Sequence, residues 1–173
     1  MRLAFIGLFI FLTFSTTEAV SMPIGEKLYL MSEISGTITL NGEPAAGAKL
    51  KRIVSKAYSR SELTDETVTD ANGYFTMPAV TQRKFVQKIF PMGFVVPSEI
   101  YVTYQDKEYF IWTSTKREPE KNTENRGKPL VVQCELSADE RVFGVNSSPF
   151  ITICDWGVKV DPPKSYGPPG SGN

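Results

Sequence analysis

The sequence predicts an all-β domain, and three observations carry that prediction: strictly alternating apolar residues, turn residues placed between the alternating runs, and a second hairpin further along the chain. In the first run Ile34, Ile38 and Leu40 alternate with Ser35, Thr37 and Thr39, so one face is apolar and the other can meet water. Asn41 and Gly42 follow at once, and both tolerate the positive φ that a two-residue hairpin turn requires. Beyond Pro44 the residues Ala46, Ala48 and Leu50 form a second alternating set. Thr67, Val68 and Thr69 then lead into the turn Asp70-Ala71-Asn72-Gly73, and Tyr74, Phe75, Thr76 and Met77 leave it as a strand. Asp70 is suited to accept N–H groups within that turn, with Asn72 and Gly73 supplying left-handed residues. Residues 82–90 carry Phe85, Val86 and Ile89 between basic residues, which suggests a strand entering a long crossover past Pro91, Gly93 and Pro97. In the second hairpin Ile100, Val102 and Tyr104 alternate, Gln105-Asp106-Lys107 turns, and Tyr109 to Trp112 returns. Its aromatic residues are expected as core and cross-strand partners, with Tyr101, Tyr104, Tyr109 and Trp112 as the alternative sugar-stacking platform.

The pattern Ser35-Gly36-Thr37-Ile38, Asn41-Gly42-Glu43-Pro44, Gly47-Ala48 and Thr69-Asp70-Ala71-Asn72-Gly73-Tyr74-Phe75 resembles the carboxypeptidase regulatory-like modules of the transthyretin-like, or prealbumin-like, group. Within that group it is most similar to a family of small exported proteins of Gram-negative bacteria. The resemblance covers about residues 34–112 and implies an antiparallel β-sandwich of seven to eight strands. It implies little about activity, because such modules serve binding, adhesion and spacing, and only occasionally catalysis.

Arg2 precedes an apolar run over residues 3–14, and small and polar residues follow to Ala19, the pattern of a secretory signal peptide spanning residues 1–19. The run is about 12 residues long where a membrane span needs roughly 20, and no other run is longer, so membrane insertion is not expected. Removing 19 residues from 173 leaves 154, enough for one sandwich domain over residues 20–160. The expected location is the periplasm, or outside the cell. Residues 161–173 contain four prolines and almost nothing to bury, and are expected as a disordered or polyproline-like tail. Lys plus Arg balances Asp plus Glu at 19 each, which argues against nucleic acid or an anionic membrane as a bulk electrostatic partner.

Residues 116–128 lack an apolar anchor and hold Lys116, Arg117, Lys121, Arg126 and Lys128 against Glu118, Glu120 and Glu124. The simplest expectation is a solvated loop. A loop of this length is uncommon in so small a domain, which makes it the candidate partner contact. The last strand-like runs, residues 130–136 and 150–156, each carry one cysteine. An even count in an exported chain favours a disulfide between Cys134 and Cys154, closing a loop of about 20 residues worth roughly 3 kcal/mol. The alternative, a redox pair, fits poorly with cysteines set among apolar neighbours. Asn146-Ser147-Ser148 matches a glycosylation acceptor, relevant only in a eukaryotic host.

The chain contains no histidine, which removes the Ser-His-acid and Cys-His nucleophile systems and the common catalytic zinc sites. Transthyretin-like sandwiches that catalyse, such as ureide hydrolases and ring-cleaving iron dioxygenases, rely on histidines absent here. Asp65, Glu66 and Asp70 lie close in sequence, but neither their spacing nor a glycine matches a helix-loop-helix calcium loop. Ser55-Lys56 and Ser114 with Lys116 are too local to form a Ser-Lys dyad. No catalytic residue, metal or cofactor is expected. The expected partner is another protein, and the resemblance implies an immunity protein that sterically blocks a periplasm-targeted toxin of a type VI secretion system. The alternative is a secreted structural or carbohydrate-binding accessory module.

Overall fold

The computed structural model describes residues 26–84 and 93–162, and these form a β-sandwich. The signal peptide expected over residues 1–19, the remainder of the strand and crossover expected over residues 85–92, and the tail expected beyond Pro162 lie outside the described residues. β1 (Glu26–Met31) pairs antiparallel with β7 (Val80–Lys84) as a ribbon, so the strand expected over residues 82–90 is seen as far as Lys84. The second sheet is built on β2 (Ile34–Leu40), flanked by β6 (Tyr74–Met77) and by β10 (Leu130–Glu135). β3 (Glu43–Pro44) folds back on the end of β2, and β13 (Cys154–Asp155) borders β10. The third sheet has the order β11 (Arg141–Val145), β12 (Ser148–Thr152), β9 (Lys107–Lys116), β8 (Val96–Tyr104), β4 (Lys49–Ser55), β5 (Glu62–Val68), and every pair in it is antiparallel.

The described residues contain thirteen strand segments, more than the seven to eight that the resemblance implies. Part of the excess comes from chain crossings: the run at residues 150–156 breaks at Ile153, where the chain leaves β12 in one sheet for β13 in the other. One pairing departs from the antiparallel expectation. β2 and β10 run parallel, from Leu130 opposite Ile34 to Glu135 opposite Thr39. Gly36 permits this seam, because a Cβ there would overlap the Val132 carbonyl. Inward-facing Ile34, Ile38, Phe75 and Val132 of the second sheet meet Leu50, Val54, Ile100 and Trp112 of the third in one core, each no more than 1% exposed. Around Trp112 the rings of Phe143, Phe150 and Trp156 gather with centroids 4.9–5.8 Å apart.

Asn41 and Gly42 form the expected two-residue turn, with φ of 54° and 82° between the paired residues Leu40 and Glu43. Asp70 accepts the N–H groups of Asn72 (2.8 Å) and Tyr74 (2.9 Å), and Gly73 is left-handed at φ 71°. Asn72 does not take the left-handed role expected of it; its N–H is spent on the Asp70 carboxylate instead. This turn carries the chain from β5 in the third sheet to β6 in the second. A further turn at Asn146-Ser147, with φ of 49° and 61°, joins β11 to β12. The sequence marks that dipeptide only as a glycosylation signal, yet the Asn146 amide is occupied, donating to the Thr123 carbonyl at 3.0 Å and accepting from Arg126 at 2.9 Å.

Candidate functional site

Residues 116–128 are only in part the solvated loop that their composition suggests, because Lys116 and Glu124 are buried. Lys116 ends β9 and continues the inward alternation of Trp112 and Ser114, which drives its side chain between the sheets, 2% exposed. Glu124, in the 3₁₀ turn Thr123–Asn125, is 3% exposed. A lone buried charge is costly, and the two residues resolve this by meeting: Lys116 Nζ donates to Glu124 Oε2 at 2.8 Å. Ser32, from the β1–β2 turn, completes the cluster. Its N–H donates to Glu124 Oε1 at 2.9 Å and its hydroxyl to Oε2 at 2.7 Å, while the hydroxyl accepts the Asn122 N–H at 2.7 Å. Burial pushes the Lys116 ammonium below its ordinary value, and the Glu124 carboxylate opposes that shift.

Other anchors hold the same loop. The Tyr29 N–H donates to the Pro119 carbonyl at 2.8 Å, and Asn125 Nδ2 to the Pro129 carbonyl at 2.7 Å. The Arg126 guanidinium donates to Asp161 Oδ1 (2.6 Å), Asn146 Oδ1 (2.9 Å) and the Lys159 carbonyl (2.8 Å). Asp161, expected to open a disordered tail, is therefore part of the domain: its own N–H donates to the Gly144 carbonyl at 2.7 Å and its carboxylate accepts the Ser147 N–H at 2.8 Å. The Ser147 N–H and the Arg126 charge hold the Asp161 carboxyl below its usual range. What remains on the surface is a fixed display of Arg117, Glu118, Glu120, Lys121 and Lys128.

The clamp also sets a serine beside a lysine, with Ser32 Oγ 3.4 Å from Lys116 Nζ across 84 residues of sequence. A nucleophile must reach its substrate, and Ser32 is 0% exposed with its hydroxyl already donated to Glu124. The arrangement holds the loop in place and presents no accessible nucleophile.

Cys134 and Cys154 face each other across β10 and β13, Cα atoms 4.1 Å apart, and are disulfide-bonded. Next to them Glu135 ties the far end of the parallel seam to the first hairpin. Its carboxylate accepts the N–H groups of Asn41 (2.8 Å), Gly42 (2.9 Å) and Ser137 (3.0 Å), and the hydroxyl of Thr39 (2.8 Å). Desolvation alone would raise its pKa, but the hydrogen bonds from Ser137, Gly42 and Thr39 outweigh it and hold the group down at about 2. Asn41 and Gly42 thus shape a turn and also help to bind a carboxylate. A cleft of about 350 Å³ adjoins this corner, lined by Thr39, Glu135, Asp139, Arg141 and Asp155. Arg141 is already committed there, donating to the Cys154 carbonyl at 2.6 Å.

The remaining candidates from the sequence are placed as follows. Trp112 is 0% exposed and cannot stack on a sugar, Tyr104 and Tyr109 pack against the core, and the Tyr101 hydroxyl donates to Glu99 at 2.8 Å. Asp65 forms a bidentate pair with the buried Arg52, and Asp70 serves its turn, so these carboxylates do not converge with Glu66 on a cation.

The molecule is, in class, a disulfide-closed β-sandwich that displays one clamped, charged loop. Residues 34–139 match a family described as a domain of unknown function, DUF6795, and the chain belongs to that family. The matched span includes the whole loop, Lys116, Glu124 and Cys134, whereas Ser32 precedes it and Cys154 follows it. No curated protein and no solved structure matches the chain.

Proposed function

We propose that this protein is an exported, non-catalytic binding module of transthyretin-like type, and that it recognises another protein through the loop at residues 116–128. The observation that carries this reading is the buried Lys116–Glu124–Ser32 clamp, which holds a charged surface segment in one conformation. Association costs free energy for every segment that must be ordered on binding, and a loop already fixed avoids that cost. The mixed charges of Arg117, Glu118, Glu120 and Lys121 suit steering and registration of a partner more than bulk attraction. Within this class the resemblance of the sequence favours an immunity protein of the periplasm, which lays its loop over the cleft of a toxin delivered by a type VI secretion system and excludes substrate.

The test is protection. Cells lacking the gene should lose viability beside siblings that deliver the toxin, and a copy carrying Arg117→Glu and Lys121→Glu should restore viability only partly. Equal survival with and without the gene would sink the immunity reading. Retention of full partner affinity by the double variant would remove the loop from the interface.

A further inference from the structure

We propose that β5 is a docking edge that accepts an extended, basic segment of a partner protein as an added strand of the third sheet. The inference does not depend on the loop at residues 116–128, because β5 and β9 are separated by β8 and β4. β5 is the terminal strand of that sheet, seven residues long, and among the described residues it pairs with β4 alone. The main-chain bonds at its two ends set which groups are free. The Thr69 N–H donates to the Ala48 carbonyl at 3.0 Å, and the Lys56 N–H to the Ser61 carbonyl at 2.9 Å, so the odd-numbered residues face β4. Antiparallel pairing alternates sides residue by residue, so the N–H and C=O groups of Glu62, Thr64, Glu66 and Val68 point away from the sheet.

Natural sheets protect their edges with proline, lysine, bulges, short strands or a covering segment. Three of the other edges here use such means. β3 and β13 are two residues long, and at β11 the Gly144 carbonyl is capped by the Asp161 N–H. β5 contains neither proline, glycine nor lysine, and it pairs with β4 in unbroken register from Glu62 to Val68.

The charges on this edge select its occupant. The side chains of Glu62, Thr64, Glu66 and Val68 are exposed, Val68 at 56%, and neither glutamate has an ion-pair partner among the described residues. A second copy of the chain is disfavoured, since pairing β5 with itself gathers two sets of Glu62, Asp65 and Glu66 along one seam. A strand with Lys or Arg at alternate positions would instead place cations opposite Glu62 and Glu66 while its main chain satisfies the open edge.

Amide hydrogen exchange on the purified protein tests this, with two heptapeptides as probes, one alternating Lys with Val or Thr and one carrying Glu at each Lys position. In the free protein Glu62, Thr64, Glu66 and Val68 should exchange fast while Leu63, Asp65 and Thr67 are protected. The Lys peptide should slow the four outward amides at least tenfold, and the Glu peptide should not. Thr64→Pro removes an outward N–H and no bond to β4, and should abolish the protection; Glu62→Lys with Glu66→Lys should reverse the peptide preference. Four amides already protected in the dilute free protein, protection that grows with protein concentration alone, equal effects of both peptides, or no response to the Lys peptide would each overturn the proposal.

Discussion

Replacing Glu124 with alanine should destabilise the fold far more than an ordinary loop substitution. The Lys116 and Glu124 charges lie 2.8 Å apart with both side chains 2% exposed. At an effective dielectric of about 20, unit charges at that separation attract by roughly 6 kcal/mol. Removing each ion from water costs several kcal/mol, so the intact pair sits near balance. Alanine removes the attraction, leaves Lys116 desolvated, and strands the Ser32 N–H that Glu124 now accepts. The expected loss is about 3–5 kcal/mol, a large part of the roughly 5–15 kcal/mol available to a domain of this kind. Urea unfolding followed by the fluorescence of Trp112 and Trp156 would measure it as a lowered midpoint at unchanged slope. Lys116→Met combined with Glu124→Leu removes both charges together and should cost only about 1–3 kcal/mol, chiefly from the unpaired Ser32 amide. The coupling energy should therefore reach about 2 kcal/mol or more. A loss below about 1 kcal/mol for Glu124→Ala, or single-variant costs that simply add in the double variant, would show that the pair is solvated and that the loop is not clamped.

Replacing both Cys134 and Cys154 with alanine opens a loop of 20 residues and should lower stability by about 3 kcal/mol, measured by the same unfolding assay with and without reductant. Glu135 titrates near 2 in the folded protein against an ordinary value of 4.5, so the stability it contributes is present above about pH 4.5 and is lost as pH falls towards 2. Glu135→Gln should accordingly flatten the acid limb of stability between those values and leave the slope near neutrality unchanged, as read from urea midpoints across pH. Gly36→Ala drives a methyl group into the Val132 carbonyl and should cost more than about 3 kcal/mol or prevent folding, whereas alanine at the open position Gly93 should be tolerated, both seen by thermal unfolding.

Much of the architecture was legible in short stretches of sequence. Asn41-Gly42 forms the turn its chemistry demands, Ile34 and Ile38 face the core as their alternation requires, and the two cysteines pair as an even count in apolar strands suggests. Each of these depends on residues within a few positions of one another, or on there being a single partner to choose. The loop at residues 116–128 was visible by its length and charge, but its composition pointed to solvent. A signal for the burial of Lys116 did exist, since it continues the inward alternation of Trp112 and Ser114.

Tertiary structure decided the rest. Whether Lys116 can be buried depends on Glu124 and on Ser32, 84 residues away, and no local pattern states that those three groups will meet. The parallel register of β2 with β10, the capture of Asp161 by Arg126 and the open edge of β5 are likewise set by which distant segments become neighbours. Local sequence determined turn, strand and face because backbone sterics and side-chain alternation act over a few residues. The site was decided by the assembled fold because the cost of burying a charge is settled only by what lies beside it once the chain has closed.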